Sequence, residues 1–433
     1  MLRFQCLPSR GLIQRHFTLQ QARRPFSISR HLRFPRNPGR VDAAAEASPL
    51  VEVTPSFASK VGRPSIRNQI LFFVFGSSAA FFYAAFNTDL ETNLLVKKIK
   101  DQSALFSLSG ISSRDLVKVQ QMELVKELRM GYAELNRKAA ALPPIIRERV
   151  TTLYLAIFQP YADASQGRRL CWKICLLNFG VWLMWKARPT LMMRNFTHNP
   201  LSGLSFTLLT SVFSHQSFMH LAFNCLALEG FGAAASTYLN KAMSQEAPEK
   251  LESTSNYHFM AFYLSAGLFA SLVSHVVSVK FKYPRMIAQL SSPSNTTKVT
   301  DTWASAVAAS ANTPRSSVFS AFSKPKVPPS PVNTAAAAER IVPSLGASGA
   351  IYACVTMTAL AFPQAQISLM IPPWYPIDIQ TGVAGLVMLD IIGIARGWRM
   401  FDHWAHLGGA AFGAAYYAYG PKLWANLRSE IKG

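Results

Sequence analysis

Seven segments of this chain are apolar over the length of a membrane-spanning helix or close to it. Such a helix needs about 20 predominantly apolar residues to cross the hydrocarbon of a bilayer. The segments are 70–86, 170–185, roughly 218–239, 259–279, a stretch starting near Leu345, about 379–395, and about 402–419. Within hydrocarbon an unpaired backbone N–H or carbonyl is too costly, so these segments must satisfy their own backbones as helices. The expected fold class is therefore an all-α membrane protein. The 170–185 segment is the least apolar, with Lys173 near its start, and 379–395 carries Asp390.

Composition agrees, since only 15% of residues are charged, against about a quarter in soluble domains. The net charge of +22 is unevenly spread: the first 41 residues hold nine Arg and no Asp or Glu. An Arg-rich, Ser-containing, acid-free start is the composition of a transit peptide, with ARRPFSIS (22–29) as a processing region. A disordered basic tail that binds acidic lipid or nucleic acid is the competing reading. The long hydrophobic region downstream favours the mitochondrial one, so no nucleic-acid partner is expected and residues 1–50 stand outside the fold. The five Cys, at 6, 171, 175, 225 and 354, form no CxxC pair. No disulfide framework, zinc site or cofactor is expected from them.

Two hydrophilic stretches interrupt the apolar segments. Residues 88–165 read as a connector in which 112–142 forms an amphipathic helix, capped by a Ser near 112 and stopped by Pro143 and Pro144. Residues 281–340, rich in Ser, Thr, Pro, Ala and Lys, read as a disordered insert, and 421–433 as a C-terminal tail. Loop charge gives an orientation: 186–205 carries three basic and no acidic residues, and 280–340 eight basic and two acidic. Basic loops stay on the side of synthesis, or the matrix equivalent, which puts those loops and the N-terminus in the matrix.

The chemistry lies at the heads of apolar segments. Ser348 opens one and His406 opens another. A serine hydroxyl becomes a nucleophile when a base within hydrogen-bond reach takes its proton. Small residues would let the two helices approach: Gly346, Ala347, Gly349 and Ala350 on one side, and Ala405, Gly409, Ala410 and Gly413, with a GxxxG step, on the other. A third stretch, 213–232, places His220 and Asn224 on one helix face, with His215 just before. Their side-chain N–H groups suit a developing oxyanion. Taken singly, each has a plain reading: a Ser bonded to its own helix, a His bridging helices, an Asn gluing them. A cluster of polar groups at membrane depth, however, marks function.

GASGA (346–350), the His215–His220–Asn224 pattern and AHLGGAAFG (405–413) resemble, in that order, the rhomboid intramembrane serine proteases. FDHWAHLGGA (401–410), the extra N-terminal span and the transit-like start resemble the mitochondrial, presenilin-associated rhomboid-like branch. The resemblance implies a six-helix rhomboid core over 166–420 plus one extra N-terminal transmembrane helix at 68–87, a 1+6 arrangement. It implies Ser348 as nucleophile and His406 as general base, a dyad with no Asp. Asn224, His220 and the Ser348 N–H would form the oxyanion hole. Tyr352 would stack on the His406 ring, Phe223 would line a substrate gate, and Gly346, Gly409 and Gly413 would support the site. The first loop, RPTLMMRNFTHNP (188–200), lacks the Trp-Arg pair of many bacterial members. His403 is expected to cap its helix or sit at an interface. Glu229 and Asp390 are expected to make interhelical hydrogen bonds, Asp390 lying too far along its span to reach the histidine. The implied activity is that of an endopeptidase of the mitochondrial inner membrane, needing no metal or cofactor. It would cut single-span membrane proteins within the lipid bilayer, among them a dynamin-like fusion GTPase. A catalytically inactive, helix-binding relative and a transporter are the alternatives, and oligomeric state is left open.

Overall fold

The computed structural model describes residues 63–102, 110–290, 341–368 and 375–432. The transit segment and most of the insert (291–340) lie outside the described residues.

Helix α1 (Arg67–Gln102) has 36 residues and so rises about 54 Å. Its apolar first half is long enough to cross a bilayer, and its second half carries the charges. The outer face is bare, with Phe75 70% and Tyr83 64% exposed, as lipid-facing side chains would be. The inner face packs through Phe73 on Phe269, 5.5 Å between ring centroids, and through buried Ala84 and Ala85.

The connector departs from expectation by holding two helices. In α2 (Ser113–Ala139) Ser112 and Asp115 form a capping box, which satisfies N–H groups that a helix start otherwise leaves unpaired. The prolines do not end this helix, which stops at Ala139. Pro144 instead opens α3 (Pro144–Asp163), because a first-turn proline has the right φ and lacks only an N–H that would be unpaired anyway. The connector is docked: Leu116 packs on Leu95 and Ile99 of α1, and the Arg169 guanidinium donates to Gln121 Oε1 at 2.9 Å.

The charged second apolar segment is helical, as α4 (Gln166–Ala187). Arg168 of α4 pairs with Glu229 at 2.9 Å, which makes Glu229 the interhelical link expected of it. After α5 (Pro189–Asn195) and the single turn α6 (Thr207–Thr210), α7 (Phe218–Ala227) runs through one π-helical turn into α8 (Ala233–Glu246). Helix α9 (Asn256–Val277) continues through a π turn into α10 (Tyr283–Leu290). The first residues assigned to the insert therefore extend a span. Among the described residues, three helical runs are long and apolar enough to cross a membrane: Arg67–Asp101, Phe218–Glu246 and Asn256–Leu290.

Helix α11 (Ser348–Ala361) has 14 residues, about 21 Å, short of a ~30 Å hydrocarbon core. It lies within the main apolar cluster with α9, through Phe259, Phe262, Ala353 and Met357. A two-stranded antiparallel hairpin follows, β1 (Gln366–Ser368) against β2 (Pro376–Asp378), the one departure from an all-α fold among the described residues. Helix α12 (Ile379–Ala395) leads to α13 (His403–Lys432). The stretch expected to be a tail beyond 420 is the end of α13, which continues past Pro421. It does so because Trp424 and Ala425 are buried against α1 and α8. Its Arg428 is fully buried.

Helices α11 and α13 touch backbone to backbone. A Cβ on Gly409 would run into the Gly349 carbonyl, and one on Gly413 into the Ala353 carbonyl. The atoms in the way are main chain and cannot rotate aside. Gly409→Ala is expected to destabilise the fold by about 1–3 kcal/mol and to part Ser348 from His406. Thermal unfolding in detergent checks this, with Gly180→Ala, whose added methyl would meet nothing within 4 Å, as the control.

Candidate active site

The turn before α11 is pinned on three sides. His198 and Ser344 exchange backbone hydrogen bonds of 2.8 and 3.0 Å, and the Gly346 N–H donates to the Ser211 carbonyl at 2.9 Å. The Ala347 N–H donates to His215 Nε2 at 3.3 Å. His198 is itself braced by Thr207 and by His275. Gly346 has φ +127°, a conformation open to glycine and strained for other residues. A Cβ there would also come within 2.7 Å of the His220 ring. These restraints hold Ser348 as the first residue of α11.

His406 comes from the first turn of α13. Asp402 starts that helix, its Oδ1 accepting from the Ala405 N–H at 3.2 Å and its Oδ2 from the Ser274 hydroxyl at 2.6 Å. The His406 ring lies parallel to Tyr352, centroids 4.3 Å apart and planes at 11°. Its Nε2 is 2.8 Å from Ser348 Oγ, and its Nδ1 is 3.1 Å from Asp390 Oδ1. An ionised carboxylate only accepts. Nδ1 therefore donates to it, and the lone pair of Nε2 faces the serine hydroxyl.

Asp390 is thus a correction to the sequence reading, which kept it away from His406. Helices α12 and α13 are joined by the short loop 396–402, so the end of the first and the start of the second share one depth. Position along a span was the wrong measure; distance from that loop was the signal. Asp390 also takes His403 Nδ1 at 2.5 Å. His403 begins α13 and packs on Gly393 of α12, the interface expected of it. Asp390, His403 and His406 present three ligand-type atoms within 4.8 Å of one another.

The remaining sequence-predicted residues divide. His220 rests on Gly346, 5.0 Å from the His215 ring between centroids. Asn224 is buried one turn further along α7, and its amide donates to the His220 carbonyl at 2.8 Å. That amide is engaged by its own helix rather than by Ser348. Phe223 is 56% exposed on the outside of α7. Sequence reasoning weighed His215 without giving it a role; it fixes the residue before Ser348. In chemical terms the cluster is an alcohol facing an imidazole lone pair, with a carboxylate behind the imidazole.

The family model described as "Rhomboid domain" matches residues 203–422. The chain is 28% identical over 275 residues to the presenilin-associated rhomboid-like protein, mitochondrial, of Homo sapiens, covering 62% of this chain and 53% of that one. It is 28% identical over 319 residues to the Rattus norvegicus protein of that name, covering 72% and 65%. With Saccharomyces cerevisiae rhomboid protein 1, mitochondrial, it shares 25% over 243 residues, covering 56% and 49%. The chain thus spans about half to two thirds of the length of these curated relatives. No solved structure gives a significant match.

Proposed function

The chain belongs to the rhomboid family, and from that premise we propose that it is an intramembrane serine endopeptidase of the mitochondrial inner membrane. The observation that carries the reading is the 2.8 Å approach of His406 Nε2 to Ser348 Oγ. In this scheme His406 takes the serine proton as Ser348 attacks the peptide carbonyl, and returns it to the leaving amine. Asp390 holds the imidazole in its working tautomer and balances the positive charge that forms on it, so the dyad is extended by an acid. Tyr352 fixes the ring plane.

The oxyanion forms at the head of α11, where helix geometry leaves the first N–H groups without an intrahelical acceptor. The Ser348 N–H, His220 and Asn224 serve it, Asn224 by releasing the His220 carbonyl. Phe223 lines the lateral entry. The core is six helices, α4 to α13 with their short turns, and α1 is the added N-terminal span. Substrates are single-span proteins, a dynamin-like fusion GTPase among them. The mitochondrial address rests on the names of the relatives and on the acid-free, Arg-rich start.

Labelling of the detergent-solubilised protein with a fluorophosphonate tests the chemistry. One labelled band, lost in Ser348→Ala and in His406→Ala, is the expected result. A folded wild type that takes no label and still binds membrane helices is an inactive relative. Asn224→Ala should slow turnover by about 10²–10³-fold, the usual effect of removing one oxyanion donor, with an unchanged melting temperature. An unchanged rate removes Asn224 from the oxyanion hole.

A further inference from the structure

We infer that Asp390, His403 and His406 form a binding site for a divalent zinc ion whose occupancy switches the serine off. The regulatory half of this inference rests on the reading of His406 as the base; the site itself does not. Two imidazole nitrogens converge on one carboxylate oxygen, at 2.5 Å from His403 and 3.1 Å from His406. Orienting the base takes one imidazole on that carboxylate. The second is unexplained by it: the His403 side chain makes no other hydrogen bond among the described residues, its Nε2 lying against Gly393 on the side away from the carboxylate.

Two nitrogens and one oxygen, with a fourth position open, are a zinc donor set. Metal bonds of about 2.0–2.1 Å put the donors of a tetrahedral ion about 3.3 Å apart, so the carboxylate oxygen has to move from its nitrogens by less than about 1 Å, in a set of donors that all lie within 4.8 Å of one another. The side chains are held in place. The His406 ring is fixed by Tyr352 and the His403 ring by Gly393. All three residues are buried, and an ion enters under the exposed loop 396–402, where Met400 is 83% and Phe401 54% exposed. No CxxC marks such a site. Its ligands come from two helices and meet where the loop between them brings the helix ends together.

The switch follows from imidazole chemistry. A metal takes the lone pair of His406 Nδ1, so the single ring proton moves to Nε2. Nε2 then faces Ser348 as a donor and has no lone pair for the serine proton. Nothing is oxidised, and chelation reverses the step.

The site is tested by titrating the full-length solubilised protein with Co²⁺, a zinc substitute with visible d–d bands. The expected result is saturation at one equivalent in the wild type and in Ser348→Ala, with the bands lost in His403→Asn. That substitution keeps a donor near the Nδ1 position for Asp390 but is a poor ligand; His403→Gln serves where it does not fold. The switch is tested by fluorophosphonate labelling with Zn²⁺ and with EDTA. The expected ratio is at least tenfold slower labelling with Zn²⁺ in the wild type and about one in the His403 variant. Absent Co²⁺ bands, or bands undiminished in the His403 variants, overturn the site. Co²⁺ bound with labelling rates equal in Zn²⁺ and EDTA overturns the switch. A wild type unlabelled even in EDTA sinks the protease reading, and the Co²⁺ titration still decides the site.

Discussion

Asp390→Asn is expected to lower turnover by about 10⁴-fold while the protein stays folded, the loss seen when an amide replaces the carboxylate behind a catalytic imidazole. The substitution is isosteric, so the contact with His403 persists. What disappears is the negative charge 3.1 Å from His406 Nδ1. That charge matters most when the imidazole has taken the serine proton, in a buried site where little water screens it. Because the interaction strengthens toward the transition state, kcat should fall with little change in KM. A purely structural role would instead lower the melting temperature and the fraction of protein that labels. Cleavage of a membrane-spanning reporter, measured beside the melting curve, separates these. A kcat within threefold of wild type ends the role assigned to Asp390.

The largest effect on stability is expected at Arg428, near the far end of α13. Its guanidinium is fully buried and donates to Asp89 of α1 and to the Leu251 carbonyl at 2.9 Å. Glu252 lies 4.0 Å away. This one cation ties α1, the 247–255 loop and α13 together. Arg428→Met keeps the volume and removes the charge, leaving two carboxylates buried without it. Breaking a buried pair from one side costs about 3–5 kcal/mol.

The pH dependence carries the signature. Burial pushes the Glu252 carboxyl up to about 7 even with Arg428 opposing it. A carboxyl raised on folding binds more protons in the native state, so stability declines as pH rises from its unfolded value through the folded one. Without Arg428 the folded value rises further, and the deficit of Arg428→Met should grow as pH passes about 7. Adding Asp89→Asn and Glu252→Gln to Arg428→Met should recover most of the loss. Thermal unfolding of the single and triple variants across pH measures this, and a single variant as stable as wild type at every pH rules it out.

How much of this was legible in sequence depended on whether the information was local. Helix formation was legible because apolar composition acts on each segment separately; among the described residues, 70–86, 218–239 and 259–279 lie in helices long and apolar enough to cross a bilayer, while α11 and α12 are apolar but shorter. Ser348 and His406 were legible as a pair because each heads an apolar segment beside small residues, and the structure sets His406 Nε2 2.8 Å from Ser348 Oγ where Gly409 and Gly413 let the two helices touch. The second connector helix was missed because Pro144 reads equally as the end of one helix and the start of another. The helical end of α13 was missed because what holds it is Arg428 on Asp89, residues 339 apart in sequence.

By itself, then, the sequence determined that apolar helices dominate this chain and which short motifs head them. Only the tertiary structure decided that Asp390 and His403 join His406, that His215 steadies the turn before Ser348, and that α1 is tied to the core by a buried charge. The reason is physical: helix formation and membrane insertion act on contiguous segments. A hydrogen bond a few ångströms long between side chains on different helices depends on crossing points and loop lengths that no single segment encodes.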